Sequence, residues 1–268
     1  MEILRKFAVK KKAGMSNAGD TASSRKYFYE GKNNNLTMLL ANRYSWMNNH
    51  IEPHHKGIEV GAGTGVSKDF INNKNYQLTD FCDNSWLDIK NIDALKTGFA
   101  DSSFDFVVSS NMIHHIYSPI IFLEEMSRIL KPGGKLIIQE INCSLITRLM
   151  LVLMNHEGYN FDVNVFDRNA ICNDPNDLWS GNNAIPNLLF DDKAKFQANI
   201  PFFKIDFHKY DEFLCFLNSG GAIFKTPYLQ MPKPILKFMQ FVDKALSRLL
   251  PNLFAMQTKI VLTNSKKT

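Results

Sequence analysis

The chain of 268 residues has only four cysteines, Cys82, Cys143, Cys172 and Cys215, and none stands in a Cys-x-x-Cys pair. That scatter gives no zinc ribbon, no redox motif and no disulfide framework, and it fits a reducing compartment. Long apolar runs are missing as well. A bilayer span needs about 20 apolar residues. The most apolar helical stretch, LITRLMLVLM at 145–154, is shorter and carries Arg148. The N-terminal residues show no apolar segment followed by a small-residue cleavage site, so no signal peptide is expected. Together these absences imply a cytoplasmic protein. A strong charge of either sign is also absent. The net charge is +5, too small for a dedicated nucleic-acid binder. Much of that excess sits in LRKFAVKKK at 4–12, with five basic residues and no acid. This stretch reads as a solvated arm or as a weak attraction to an anionic membrane surface, which would put the protein at the inner membrane face.

What remains is an ordinary core-forming composition, 45% hydrophobic and 21% charged. The pattern along the chain divides it into four stretches. Residues 1–34 form a basic, partly irregular N-terminal extension. Residues 35–142 alternate strand and helix signals. The strand signals are KGIEV (56–60), YQLTDF (76–81), SFDFVVSS (103–110) and KLIIQEI (135–141), with an amphipathic helix at 119–130 stopped by KPGG. Such alternation predicts α/β architecture with a parallel sheet and ligands beyond the carboxyl ends of its strands. Residues 143–200 lose the alternation and read as a loop- and helix-rich lid on the substrate side. Residues 201–268 return to strands at 202–210 and 257–264. Between them lies a helix at 233–250, whose period gathers Ile235, Phe238, Met239, Val242, Leu246 and Leu249 on one apolar face.

The chemistry centres on Glu59-Val60-Gly61-Ala62-Gly63-Thr64-Gly65. A phosphate-binding loop needs Gly-Lys-Ser/Thr, which the chain lacks, and a dinucleotide turn needs Gly-x-Gly-x-x-Gly. Here the spacing is Gly-x-Gly-x-Gly with an acid two residues ahead. That acid would repel a pyrophosphate and can orient the loop or hold a cationic amino group through water. Taken with Asp80 at the end of the second strand, IDALKTGFADSSFDFVV (92–108), SSNMIHHI (109–116) and EEMSRILKPGGKLII (124–138), this loop resembles the class I S-adenosylmethionine-dependent methyltransferases. Within them it is similar to the broad type 11 small-substrate branch.

The resemblance implies a Rossmann-like fold with a mostly parallel seven-stranded sheet and flanking helices, and S-adenosyl-L-methionine as cofactor. It places Glu59, Gly61, Ala62, Gly63 and Gly65 against the methionine part, and Asp80 on the ribose hydroxyls. Asp93 and Ala94 would flank the adenine, and the Ser110 carbonyl would meet the cofactor's amino group. In one respect the chain departs from the pattern. Only twelve residues separate Asp80 from Asp93, where the family normally has a full helix, and Trp86 in that trimmed crossover either covers the adenine or packs.

Methyl transfer needs a base only when the acceptor must lose a proton. His114 and His115, leaving the strand at 103–110, and Glu140, ending the strand at 135–141, are the candidates for that role. His156 and Tyr159 in NHEGY would lie over the site. No metal is expected, because His156 and Glu157 lack further ligands. The absence of an Asn-Pro-Pro-Tyr tetrapeptide and of a Pro-Cys nucleophile argues against nucleobase methylation. The expectation is therefore O- or N-methylation of a small-molecule, glycan or lipid-linked acceptor, in a bacterial setting suggested by the tail at 218–239. The alternative is a catalytically silent S-adenosylmethionine-binding partner protein.

Overall fold

Gly57–Val60 (β1) is buried at every position, as a strand covered on both faces must be. Around it, the computed structural model, which describes residues 20–154, 157–222 and 226–266, builds one sheet. Its strands are β1, Tyr76–Leu78 (β2), Phe104–Ser110 (β3), Leu130–Ile141 (β4), Phe203–Asp211 (β5) and Gln257–Asn264 (β6), in the order β2-β1-β3-β4-β6-β5. The first four run parallel, and β6 and β5 join antiparallel.

The period-two alternation divides the core. Val107, Leu136, Ile138, Ile260 and Leu262 point to one face, while Phe106, Val108, Ile137 and Val261 point to the other. On the first face lies helix α3 (Pro119–Ile129), through Phe122, Leu123 and Met126. Leu36, Leu39 and Leu40 of α2 (Asn34–Tyr44) cover the second. Each such fully buried side chain contributes roughly 1.5–3 kcal/mol.

The sheet has six strands where seven are expected from the sequence. The trimmed crossover after Asp80 is the cause. Where a further strand would pair with β2, the chain offers only an isolated bridge, Thr79 to Ile89. The Asp88 carboxylate accepts the Leu78 N–H at 2.7 Å, and the N–H groups of Asp88 and Ile89 donate to the Leu78 carbonyl. One loop satisfies the edge of β2 without becoming a strand.

Two further differences concern helices. A helix, α1 (Thr21–Glu30), forms in the stretch read as irregular, because Asp20 caps it by accepting the Ser23 N–H at 2.8 Å. The SKDFINN segment after the glycines, whose sequence predicts a short helix, makes only a single 3-10 turn, Val66–Asp69. In the insertion stand α4 (Leu145–Met154), α5 (Ile185–Phe190) and α6 (Lys193–Asn199). After β5 come α7 (Leu214–Leu217), α8 (Lys233–Leu249) and α9 (Pro251–Phe254).

Candidate active site

β1 ends in Val60, and the chain then turns through three glycines with positive φ: Gly61 at 68°, Gly63 at 51° and Gly65 at 66°. A side chain is excluded at Gly65 by space as well as by backbone angle, since a Cβ would stand 2.8 Å from Leu78 and 2.9 Å from Trp86. Above Gly63 the space is open but for the Thr21 methyl at 4.0 Å. Asp80 faces this turn, one of its oxygens accepting the Gly63 N–H at 2.8 Å and the other the Cys82 N–H at 2.9 Å. Ala62 is tied to the end of β2 through its N–H to the Thr79 carbonyl.

Glu59 is buried, and Tyr76 and Ser67 both donate to one of its oxygens. Burial pushes its pKa up to about 7, against the pull of those two hydroxyls. Ser110, at the end of β3, lies against the buried Tyr44 hydroxyl. Asp93 is exposed and closes an Asx turn onto the Leu95 N–H at 2.8 Å, while Ala94 packs on the core. Trp86 donates to the Gly63 carbonyl at 2.9 Å.

Arg25 of α1, which the sequence reading did not single out, lies over this loop. Its Nη1 donates to the Thr64 carbonyl at 2.6 Å, and its guanidinium sits 5.1 Å from the Trp86 ring centre and 4.6 Å from that of Tyr29. Tyr29 in turn donates to Asp69. An apolar or charge pattern cannot announce such a contact, which joins residues 39 apart.

The second cluster grows from the exit of β3. Asn111 takes positive φ and starts a 3-10 turn, Ile113–His115. This turn brings His114 onto Glu140 near the end of β4. The Glu140 oxygens lie 2.8 and 3.0 Å from His114 Nδ1, and one of them also accepts the His114 backbone N–H at 3.1 Å. Glu140 is fully buried and His114 nearly so. On its other side His114 Nε2 stands 3.6 Å from Glu157, and His115 Nε2 stands 3.9 Å from the same carboxylate. His115 Nδ1 meets the Ser180 carbonyl at 3.2 Å.

Burial alone would lower the His114 pKa. The charge and hydrogen bond of Glu140, with Glu157 behind them, outweigh it and raise the value to about 9. For His115 nothing outweighs burial, and the neighbouring His114 charge adds to it, leaving a pKa of about 4. Two adjacent imidazoles are thus set far apart, one cationic and one neutral at pH 7.

The structure therefore unites His114 and Glu140, sets His115 beside them, and adds Glu157. The insertion supplies the last through a bridge between Gly158 and Asn182, with Asn183 donating to Glu157 at 3.0 Å. Asn182 N–H and Asn173 Nδ2 both donate to the His114 carbonyl, pinning the insertion to the 113–115 turn. Linear spacing carries no signal for a partner 43 residues beyond His114 that arrives on a loop. His156 lies outside the described residues. Tyr159 is buried under the Arg148 guanidinium, 5.7 Å from its ring centre. His114, His115 and Glu157 offer ligand atoms within 4.8 Å of one another, a spacing that would admit a cation. Glu140 already engages His114 at Nδ1, and we assign no metal ligand.

Residues 58–138, from β1 to β4, match the protein family described as Methyltransferase domain. The chain carries a class I S-adenosylmethionine-dependent methyltransferase domain. The methyltransferase domain shares its fold with a SAM dependent methyltransferase from Archaeoglobus fulgidus, at a TM-score of 0.50 and 16% identity, covering 89% of this chain and 99% of that one. Two curated relatives are large synthases. Hybrid PKS-NRPS synthetase LUC5 of Fusarium sp is 29% identical over 134 residues, 41% of this chain and 3% of that protein. Squalestatin hexaketide synthase of a Phoma strain is 27% identical over 175 residues, 48% of this chain and 7% of that protein. This chain thus spans only a small part of the length of the relatives it matches. Both relatives are fungal, and they lend no support to the expected bacterial setting.

The methyltransferase domain fits its cofactor on the chain's own geometry. The loop at Gly63 is open to approach, and the Asp80 carboxylate stands beside it at the carboxyl ends of β1 and β2. Each Asp80 oxygen accepts one backbone N–H and keeps a second lone pair, as a pair of ribose hydroxyls would require.

Proposed function

We propose that this protein transfers a methyl group from S-adenosylmethionine to an acceptor that must first lose a proton. The observation that carries this reading is the buried His114–Glu140 pair at the exit of β3, with Nε2 of His114 turned away from Glu140. A nucleophile with a free lone pair needs no such base. When bound, the cofactor supplies a methyl group already activated by the positive charge on its sulfur.

The chain's own residues do the rest. The backbone of Gly61, Ala62, Gly63 and Gly65, with Asp80, Asp93, Ala94, Ser110 and, through its hold on the loop, Glu59, would hold the cofactor. His114 in its neutral form accepts the acceptor's proton at Nε2. Glu140, on Nδ1, fixes the ring's tautomer and stabilises the imidazolium that results. The insertion, anchored by Asn173 and Asn182, closes the cluster from water.

The acceptor in this reading is a small or lipid-linked molecule bearing a hydroxyl, or a carbon flanked by two carbonyls. The second option draws support from relatives named as polyketide and hexaketide synthases. No nucleic acid takes part. All four cysteines are free thiols, in keeping with a reducing, cytoplasmic compartment.

The test pairs binding with turnover. The wild-type chain is titrated with S-adenosylhomocysteine and then assayed for methylated product on acetoacetyl thioesters and on phenolic and sugar hydroxyls. His114→Ala and Glu140→Gln should keep the product analogue's affinity and lose turnover by about 10²–10⁴-fold, the usual worth of a positioned base. Absence of binding by the wild type would sink the reading. Binding without turnover on any acceptor would leave a silent binding protein in its place.

A further inference from the structure

Helix α8 leaves much of its apolar surface uncovered. Its period sets Ile235, Phe238 and Leu249 on a common apolar face, which a core-packed helix would bury. The structure instead buries Leu236, Asp243 and Ser247. Asp243 docks the helix, its carboxylate accepting the N–H groups of Phe213, Leu214 and Cys215 at 2.8–3.2 Å. The apolar face is only partly covered: Met239, Val242 and Leu246 are half-buried, while Phe238 is 67% exposed, Phe241 70% and Leu249 74%, with Ile235 and Leu250 also open.

The exposed residues of α8 have a narrow chemistry. They are Lys233, Pro234, Ile235, Lys237, Phe238, Phe241, Lys244, Arg248 and Leu249. None is acidic, and none is an uncharged hydrogen-bonding side chain. A second exposed apolar strip lies on α4, where Leu149, Val152, Leu153 and Met154 are open while Arg148 is turned inward onto the Cys143 carbonyl. The short helix α9 touches both α4 and α8.

We infer that α8, with α4 beside α9, is a monotopic docking surface for an anionic lipid bilayer. Large apolar side chains flanked by Lys and Arg, with no acid among them, are what an interfacial helix presents: the rings enter the acyl boundary and the cations reach the headgroups. A protein partner fits less well. Interface cores are poor in Lys, and a second copy would set these same cations against each other. No helix among the described residues is long and apolar enough to cross a membrane, so attachment is to one leaflet. The surface adjoins the reaction side, since α4 starts at Leu145, just after the strand end that carries Glu140. The inference does not depend on the methyl-transfer reading.

Flotation of the full chain with vesicles tests it. Vesicles of phosphatidylcholine with phosphatidylglycerol are compared with phosphatidylcholine alone, for the wild type, for Phe238→Ser with Phe241→Ser, and for Lys237→Gln with Lys244→Gln and Arg248→Gln. All these side chains are exposed, and an unchanged circular dichroism spectrum and melting temperature confirm folding. The wild type should float with the anionic vesicles. The double Phe variant should lose at least about tenfold in partitioning through lost apolar burial. The cation variant should lose its preference for anionic lipid, at about fivefold per charge. Three results would overturn the inference. They are a wild type that stays in the soluble fraction, a double Phe variant that floats unchanged because the basic stretch 4–12 does the binding, and a dimer in sedimentation equilibrium that the Phe substitutions dissolve without any vesicle binding.

Discussion

His114 carries two opposing pH dependences. Its pKa is raised in the folded chain, from 6.5 to about 9. A raised histidine favours folding while it is charged. Its contribution is complete below about 6.5 and is lost as pH climbs through about 9. In the proposed reaction the base is the neutral ring, which gains over that same interval. So kcat/KM should rise with pH toward a midpoint near 9, while the melting temperature loses the ion pair's share. Glu157→Gln removes one of the charges holding the proton, and it should move the kcat/KM midpoint down without abolishing turnover. A bound sulfonium also opposes the imidazolium, so the midpoint of kcat should lie below that of kcat/KM. Pre-steady-state and steady-state pH profiles of both proteins check this. An unchanged midpoint in Glu157→Gln would separate Glu157 from the dyad.

At the scale of elements, α1 meets the glycine loop most directly through Arg25. Arg25 binds the Thr64 carbonyl and stacks on Trp86, which itself holds the Gly63 carbonyl. Arg25→Ala should loosen α1, raising amide exchange over 21–30, and weaken S-adenosylhomocysteine binding by about 3–10-fold, the worth of one hydrogen bond. Calorimetry and hydrogen exchange measure the two together; faster exchange with unaltered affinity would make α1 a mere neighbour. None of this was legible in the sequence. The β-strands and α3 were, because buried strands and an amphipathic helix leave local periods that survive tertiary packing. β6 matches its expected bounds, 257–264. Asp80, His114 and Glu140 stand at the strand exits where the pattern puts them. What arrives over the top, Arg25 from α1 and Glu157 from the insertion, is placed by contacts distant in sequence. The period of α8 was read correctly, but period alone does not say which side faces the protein, and the docking of Asp243 decides that.

For the whole molecule, two adjacent buried ion pairs tie the end of β5 to α2 and to β6. Arg43 of α2 meets Glu212 just beyond β5, its Nη2 2.9 Å from a carboxylate oxygen, and Lys259 of β6 meets Asp211 at 2.5 Å. All four side chains are nearly inaccessible. Burial raises the Glu212 pKa despite the Arg43 charge, so this carboxylate depends on its partner. Arg43→Met should destabilise the fold by about 3–5 kcal/mol, the cost of leaving a buried charge unpaired, and adding Glu212→Leu should recover most of it. Urea denaturation of the single and double variants checks both. A single variant within about 1 kcal/mol of the wild type would mean that water reaches Glu212.

The missing seventh strand has a consequence for how the protein meets other molecules. It leaves β2 as one rim of the sheet, three residues long, with Leu78 already paired by Asp88 and Ile89. The opposite rim, β5, is broken by an irregularity between Ile205 and Phe207 and carries Lys204 and Lys209. Neither rim offers another chain a straight run of free backbone groups to extend. Self-templated fibre growth from the sheet is therefore opposed at both sides.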